Sequence, residues 1–423
     1  MHRVGAPVSL PGRGLRSLGG TIGFDPQWRH AVRRYRTFTA ACLGSLLLGA
    51  SLAGGWTAGR AESAAAQCPA GLISRGGTCL PGDTEEFTAR QVADALKKYK
   101  LTAAMAGVWV DGQRVSTAAA GETTTGFPAT TEMRFRIGSV AIPYMTTELL
   151  RLVDEGRVSL DDKLSRWRPD LPHADGITLK MLASASSGYA DYVTDKAFIA
   201  ELYENPFRHW TGEELVRIAM SRPMARPPGT GFAYSHANWV LLGDIISRVE
   251  QRPLGEVLRE NVLEPMGLEQ TAISSRAEIP APVLHGFDNE RGVFEDSTYW
   301  DPSWTLAEGA VMTGTLEDMA KSFAAIGEGR LLTPASHELQ LTPVVKVKGD
   351  ASFALGLPVV NTWILQNPSF AGYAGTVAYL PSRKLAIATV ATQGLGSTVQ
   401  NASTNVLQEI AAHLAPERPL SLG

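Results

Sequence analysis

Hydrophobic and polar residues alternate over two pairs of segments, one pair near each end of the chain. The first pair, residues 103–110 and 113–119, is joined by Asp111-Gly112, a dipeptide suited to a tight turn between antiparallel strands. The second pair, residues 371–380 and 384–392, is joined by the short turn sequence Pro-Ser-Arg. Alternation of this kind is typical of half-buried strands, so we predict a β-hairpin in each place.

Between the hairpins the hydrophobic period becomes helical. Ile142, Met145, Leu149 and Leu152 recur at steps of three and four residues, and Gly156 follows them. Such steps place the apolar side chains on one face of a helix, and a glycine commonly ends it. The pattern predicts a helix that begins close to residue 139.

Three further stretches have helical patterns: a polar helix over residues 85–100, a mostly helical region over 160–268 that prolines interrupt, and a closing helix over 404–414. Strands and a helix at both ends, with helices inserted between them, are typical of mixed α/β layers. We therefore predict an α/β sandwich of the α+β class over residues 86–414, carrying a helical lobe at approximately 160–310.

Residues 1–66 have the pattern of an export region. Arg33 and Arg34 supply positive charge, residues 38–55 are apolar, and small residues lead up to Ala66. We predict a signal peptide that is cleaved after Ala66, which places the protein outside the cytoplasm. The alternative is an uncleaved anchor, because the apolar run approaches the length of a membrane span, and only then is a membrane contact expected.

Cysteine usage agrees with export. Cys42 lies in the apolar run, which leaves Cys68 and Cys79 as an even pair in a turn-rich segment. In an oxidising compartment the two would form a disulfide, which would close a small loop in an N-terminal segment over residues 67–85. The alternative is a pair of free thiols in a disordered tail.

The balance of charge excludes one large class of partner. Residues 1–66 carry eight Lys or Arg and two Asp or Glu, which leaves 31 basic and 40 acidic residues in the 357 that follow. An acidic body without a basic stripe argues against nucleic-acid binding. The histidines form no metal-binding pattern and no glycine-rich phosphate loop is present, so no metal and no cofactor are expected.

Ser139 is the most informative residue for chemistry. It lies in Phe-Arg-Ile-Gly-Ser-Val-Ala-Ile, residues 135–142, at the start of the predicted helix. A residue three positions later lies on the same helical face one turn on, where a lysine would take the proton of a nucleophilic serine. The chain has Ile142 there, which neither accepts a proton nor carries charge. Alternatively, Ser139 is only a helix cap.

Several segments along the chain form an ordered set. They are Gly138-Ser139 with Leu152 to Gly156, Ile177 to Leu182 with Ser186-Ser187-Gly188, Pro227 to Thr230 with Tyr234-Ser235, Val240 to Gly243, Asn261 to Thr271, and Thr313 to Leu331. In this order they resemble segments of beta-lactamase-related serine hydrolases, the group that includes class C beta-lactamases, D-alanyl-D-alanine carboxypeptidases and related esterases. The resemblance implies the fold of that group and an acyl-serine mechanism.

The family's second motif, Tyr-x-Asn, is matched by Tyr234-Ser235-His236. The resemblance implies that Tyr234 is a general acid or base. His236 either replaces the asparagine as a hydrogen-bonding group or acts as the base itself, since histidine titrates near neutral pH. Four other ionisable residues on or near the family's loops are candidates to compensate for the missing lysine: Lys180, Asp191, His285 and Glu308.

The family's third motif, His-Thr-Gly or Lys-Thr-Gly on a strand beside the site, has two possible alignments. The first places it at Gln366, Asn367 and Pro368, so that Ser369 supplies a backbone N–H to the oxyanion hole; the second places it at Tyr373-Ala374-Gly375. We prefer the first, with Gln366 and Asn367 as substrate-contacting residues. Neither alignment retains a cation, although carboxylate recognition in this family depends on one.

Two functions follow from these motifs. One is an exported serine hydrolase that acts on an ester or amide through acyl-Ser139, with Tyr234 or His236 as base and activity weakened or lost with the lysine. The other is an inactive relative that binds a cell-envelope ligand or a partner protein in the cleft that holds the active site in the rest of the family. In both cases the expected ligand is a small or peptide-like molecule of the cell envelope.

Overall fold

The structure is a computed structural model that describes residues 68–274, 276–399 and 401–421. The predicted export region, its cleavage site at Ala66 and the alternative anchor lie outside these ranges. Within them, no helix has both the length and the apolar character needed to cross a membrane.

The N-terminal cysteine segment is a small hairpin. Strands β1 (Leu72–Arg75) and β2 (Thr78–Pro81) pair antiparallel, and a disulfide joins Cys68 to Cys79, which confirms the predicted bond. Leu80 is fully buried in a hydrophobic cluster, and the guanidinium of Arg383 donates to the carbonyl of Cys79. The hairpin therefore packs against the body of the protein.

A ten-stranded antiparallel sheet forms the centre of the molecule, with the strand order β11-β12-β13-β14-β16-β17-β3-β4-β5 and β15 paired to β16. Its strands are β3 (Leu101–Val110), β4 (Gln113–Thr124), β5 (Phe127–Pro128), β11 (Val345–Lys348), β12 (Ala351–Phe353), β13 (Pro358–Val360), β14 (Trp363–Gln366), β15 (Ser369–Phe370), β16 (Tyr373–Leu380) and β17 (Leu385–Gln393).

Short strands form two smaller sheets, β6-β10-β7 and β8-β9. They are β6 (Phe135–Arg136), β7 (Ala272–Ile273), β8 (Phe287–Asp288), β9 (Glu295–Asp296) and β10 (Met312–Gly314).

The helices are α1 (Thr84–Lys98), α2 (Ile142–Asp154), α3 (Leu179–Ala183), α4 (Lys196–Glu204), α5 (Gly212–Met220), α6 (His236–Glu250), α7 (Leu254–Leu258), α8 (Leu316–Gly327), α9 (Pro334–Leu341) and α10 (Ala402–Leu414). One π-helical turn, Arg259–Leu263, extends α7. All regular elements between residues 160 and 268 are helices or helical turns, and they are separated by loops, which agrees with the predicted type of element although loops occupy about half of the region.

The side-chain alternation of the central strands separates two hydrophobic clusters. On β3, Ala104, Ala106 and Val108 belong to one cluster together with residues of α1 and α10. Ala103 and Met105 point to the other face and join the cluster that contains α2, α8 and the helical lobe. The predicted α+β sandwich is confirmed: one pair of helices covers one face of the sheet, and the lobe packs on the opposite side.

Candidate active site

Ser139 lies where the lobe meets the sheet, in a 3₁₀ turn (Gly138–Ala141) that leads directly into α2. No side-chain hydrogen bond caps either this turn or α2, so Ser139 is not acting as a helix cap. The side chain is half-buried, and its Oγ lies 3.3 Å from the hydroxyl of Tyr234. The serine of the first motif and the tyrosine of the second are therefore in contact.

Ile142 is fully buried at the start of α2. It belongs to the same cluster as Met145 and Leu149 of the predicted apolar stripe. Apolar packing accounts for the side chain completely, and within the described ranges the hydroxyl of Ser139 has a hydrogen bond to a tyrosine and none to an amine.

Tyr234 ends the loop that precedes α6. Ser235 fixes this junction, because its hydroxyl accepts the N–H of Ala237 at 3.3 Å and donates to the carbonyl of Ala190 at 3.0 Å. Burial raises the pKa of the Tyr234 phenol to about 12, even though the hydrogen bond with Ser139 acts in the opposite direction. Tyr234 is consequently neutral near pH 7 and can pass a proton on, but it is not a ready base there.

His236 is the first residue of α6 and is held by Asp191. Its Nδ1 lies 3.1 Å from both carboxylate oxygens of Asp191, and its backbone N–H donates to Oδ1 at 3.1 Å. Both side chains are largely buried, with 18% of His236 and 11% of Asp191 exposed. A carboxylate at Nδ1 places the proton on that nitrogen and leaves Nε2 able to accept one.

The imidazole of His236 lies beside Tyr234, with ring centroids 5.3 Å apart in an edge-to-face arrangement. Within the described residues no hydrogen bond joins His236 to Ser139, so a direct Ser139–His236 pair is not formed in this conformation. Sequence reasoning gave Asp191 only as one of four ionisable candidates. It is 45 residues from His236 along the chain, and no spacing rule connects the two.

The strand segment of the preferred third-motif alignment borders the serine. A Cβ added to Gly138 would lie 2.8 Å from Cβ of Pro368 and 2.7 Å from Cε1 of Phe370, so these residues contact the start of the nucleophile turn. In the competing alignment, Tyr373 is buried and its hydroxyl donates to the carbonyl of Leu284 at 2.7 Å. Gly375 of that alignment also lies beside Pro368, to whose carbonyl its N–H donates at 2.9 Å, so the choice between the two alignments stays a prediction.

The individual residues of that motif are placed differently. The amide of Gln366 is buried and donates to the carbonyl of Gly356 at 2.8 Å, so it serves the fold. Asn367 is exposed, and its carbonyl accepts from Asn401 at 3.1 Å. Ser369 is exposed and pairs with Ala374 in the sheet. The oxyanion role of Ser369 and the ligand contact of Asn367 stay predictions.

The remaining ionisable candidates have other surroundings. His285 pairs with Asp296 through Nδ1 at 2.7 Å, Glu308 lines a cavity together with residues of α5, α6 and α7, and Lys180 is exposed on α3. Within the described ranges, no group of histidine, cysteine or acidic side chains is arranged to hold a metal ion.

Comparison with known proteins agrees with this fold. The profile of the family described as Beta-lactamase matches residues 88–411. Esterase EstB of Burkholderia gladioli is 27% identical over 289 residues, which are 59% of this chain and 72% of that protein. Penicillin-binding protein 4* of Bacillus subtilis is 24% identical over 260 residues, which are 58% of this chain and 55% of that protein.

Among solved structures, a D-stereospecific amidohydrolase from Streptomyces sp. superposes with a TM-score of 0.70 at 23% identity, over 78% of this chain and 99% of that one. At this identity the likeness concerns the fold. Because the family profile spans the sheet, the lobe and the Ser139–Tyr234 contact, the chain belongs to the beta-lactamase family of serine hydrolases.

Proposed function

We propose that this protein is an exported serine hydrolase that cleaves an ester or amide slowly, through an acyl group carried on Ser139. The observation that supports this most strongly is the 3.3 Å contact between Ser139 Oγ and the Tyr234 hydroxyl, in a turn where the serine caps no helix. Export is supported by the disulfide between Cys68 and Cys79, a bond typical of oxidising compartments.

The proposed reaction begins with attack of Ser139 Oγ on the acyl carbonyl. The serine proton passes to the Tyr234 oxygen, while the phenol proton moves on to a base. We assign that base to His236, because Asp191 holds Nδ1 at 3.1 Å and leaves Nε2 to accept. The negative charge on the carbonyl oxygen is assigned to the backbone N–H groups of Ser139 and Ser369. The leaving group takes the proton back, and water releases the acyl group by the same path.

Slow turnover follows from two features of the site. Ile142 supplies no amine at the position one turn beyond the serine, and the pKa of Tyr234 is raised to about 12, which removes the phenolate at neutral pH. Loss of one member of a nucleophile–base unit typically costs about 10⁴-fold or more in kcat. Activated esters are therefore favoured substrates over peptides.

A second function, ligand binding without turnover, is favoured by one observation. Ile142 is fully buried in the core, so the position of the missing base is closed by packing and holds no alternative polar group. In that case the cleft binds a peptide-like or glycan ligand of the cell envelope and releases it unchanged.

Covalent labelling separates the two functions. The described residues from Cys68 onwards belong to one compact unit, so the chain that begins at Gln67 is a suitable sample. It is treated with a fluorophosphonate or a penicillin and its intact mass is measured, with Ser139→Ala as control. A Ser139-dependent fluorophosphonate adduct supports the hydrolase, and adducts from both reagents extend it to penicillin recognition. No adduct on folded protein rejects the hydrolase in favour of the binding protein.

A further inference from the structure

Trp239 is a fully buried residue in the first turn of α6. Ser235 is the N-cap of this helix, so Tyr234 immediately precedes the cap and Trp239 is the fourth helical residue. An apolar residue before a cap commonly packs against the fourth residue of the helix and fixes the angle at which the chain enters it. The rings of Tyr234 and Trp239 pack in this way, with centroids 5.8 Å apart. This contact helps to place Tyr234.

The packing does not account for the indole N–H of Trp239. Its Nε1 is buried and has no hydrogen-bond partner among the described residues, although buried donors in proteins are almost always paired. Burial raises the pKa of the Tyr234 phenol to about 12, while the hydroxyl of Ser139 and the indole N–H of Trp239 act in the opposite direction. The N–H is therefore directed at the phenol oxygen, in a contact that falls short of a formed hydrogen bond.

Packing also holds the indole in this orientation. The centroid of its ring lies 6.2 Å from that of Phe353 on β12, and the two planes are inclined by 32°. Both Trp239 and Phe353 are buried, so the indole is enclosed between the sheet and the phenol of Tyr234. Around that phenol lie the hydroxyl of Ser139, the imidazole of His236 and the indole itself.

The oxygen of Tyr234 carries the most negative charge during the proposed proton transfer. It gives the phenol proton to His236 and takes the proton of Ser139, and between these two events it resembles a phenolate. A hydrogen bond to a charged oxygen is shorter and stronger than one to a neutral oxygen. Hydrogen bonds that serve a reaction are often long in the free enzyme and shorten as charge develops, so the indole N–H is suitably placed to donate at that stage.

We propose that Trp239 is a positioning residue for acyl transfer, whose indole N–H donates to the Tyr234 oxygen while the phenol proton moves to His236. Trp239 thereby supplies, without a formal charge, part of the stabilisation that a lysine at residue 142 would give. This inference rests on the proposed function and extends it, because it explains how a buried phenol can still exchange the proton of Ser139.

The test measures the pKa of the Tyr234 phenol directly. A ring-fluorinated tyrosine is incorporated at position 234, so that fluorine NMR follows the ionisation of this ring alone, without any turnover. Trp239→Phe keeps an aromatic ring in the contact and removes the N–H, and it should raise this pKa by about one, the effect of one hydrogen bond to a charged oxygen. Trp109→Phe is the matched control and should leave the pKa unchanged, because Trp109 is also buried and its Nε1 also lacks a partner among the described residues.

A second variant guards against a change in packing. Benzothienylalanine in place of Trp239 keeps the shape of the ring system and puts a sulfur where the indole N–H was. It should slow fluorophosphonate labelling of Ser139 about three- to tenfold and leave the free energy of unfolding nearly unchanged. The role is overturned by an unaltered phenol pKa in folded Trp239→Phe, by an equal change in Trp109→Phe, or by unaltered labelling of the sulfur variant. If the unaltered protein shows no labelling at all, the hydrolase itself is rejected, a result on which the phenol titration does not depend.

Discussion

Residue 142 lies one helical turn beyond Ser139 and is fully buried. A lysine side chain at that position would extend back along the helix face towards the hydroxyl of Ser139. The Tyr234 hydroxyl lies 3.3 Å from the same Ser139 Oγ, so the lysine amine would be close to both oxygens. With isoleucine, the proton of Ser139 has, among the described residues, one hydrogen-bonding oxygen to move to, and that oxygen belongs to a phenol that burial keeps protonated. We therefore expect the lack of a proton acceptor to limit the reactivity of Ser139.

Ile142→Lys is expected to restore that acceptor. We predict that fluorophosphonate labelling of Ser139 becomes about tenfold or more faster, while the free energy of unfolding falls by about 1–3 kcal/mol because a charge replaces a core side chain. Ile142→Met, similar in length and uncharged, is the matched control. If both variants label at the rate of the unaltered protein, residue 142 does not limit the reaction.

Asp191 is expected to act through His236 as a positioning residue. Asp191→Asn removes the charge that holds Nδ1 at 3.1 Å, so the labelling rate of Ser139 should fall by about tenfold or more and its dependence on pH should change. Asp296→Asn alters a comparable carboxylate–histidine pair, His285–Asp296 at 2.7 Å, away from Ser139. Equal effects of the two substitutions would indicate a general loss of stability and contradict the assigned role.

The sequence could predict the site residues that belong to recognisable motifs. It could not predict the residues that only the fold places next to those motifs. Ser139, Tyr234 and His236 follow from the resemblance, and the first two are in contact. Asp191 was named only as one of four ionisable candidates and without a partner, because only the loop that precedes α4 brings it to His236.

At the scale of helices and strands, the turn residues in the sequence predicted where the first hairpin turns but not where the second hairpin begins. The first hairpin turns at Asp111 and Gly112, both with positive φ, 51° and 73°, as the predicted turn type requires. The second hairpin begins later than predicted. Strand β16 starts at Tyr373 because Ala371 and Gly372 also have positive φ, 46° and 80°, and form the turn from β15. Alternation of side chains does not reveal such a turn.

The junction between the nucleophile turn and β15 depends on Gly138. Its φ is +49°, and an added Cβ would clash with Pro368 and Phe370. We predict that Gly138→Ala lowers the free energy of unfolding by about 2–4 kcal/mol and slows labelling of Ser139, because the third-motif segment is pushed away. Urea unfolding and labelling rates measure both effects.

Gly156→Ala provides the comparison for this prediction. Gly156 also has a positive φ, +69°, but no atom lies within 4 Å of an added Cβ. This change should cost only the backbone penalty of about 1–2 kcal/mol and leave labelling unaltered. Equal losses of stability and of labelling in both variants would show that contact with Pro368 and Phe370 is unimportant.

At the scale of the whole molecule, the sheet separates the site from the N- and C-terminal helices. Helices α1 and α10 pack on one face together with the disulfide-bonded hairpin, and α2 and the lobe pack on the other. The sequence predicted these layers from the order of its elements. It did not predict which strands would be neighbours. Strand β17 pairs with β3, although the whole lobe lies between these two strands in the sequence.

The buried tyrosines make the molecule sensitive to alkali. Burial raises the pKa of Tyr234 to about 12 and also raises the pKa values of Tyr144, Tyr189 and Tyr373. Between the unfolded value of 10.0 and the folded value of Tyr234 near 12, the unfolded chain binds fewer protons than the folded protein. The free energy of unfolding should therefore fall as the pH rises through this window.

Urea unfolding at several pH values between 8 and 12 checks this expectation, with phenolate absorbance as a parallel measure. Tyr234→Phe should reduce the loss of stability, since it removes one of the raised groups. A constant free energy of unfolding from pH 10 to 12 would show that the tyrosines are not held neutral by the fold.

The central claim is that Ser139 forms an acyl intermediate, and trapping that intermediate tests it most directly. The chain that begins at Gln67 is mixed with an activated phenyl ester, quenched in acid at successive times, and mapped by peptide mass. We predict an acyl group on Ser139 that accumulates slowly, is absent from Ser139→Ala, and forms more slowly in Tyr234→Phe and in His236→Ala. Folded protein that carries no acyl group on Ser139 at any time would contradict the account.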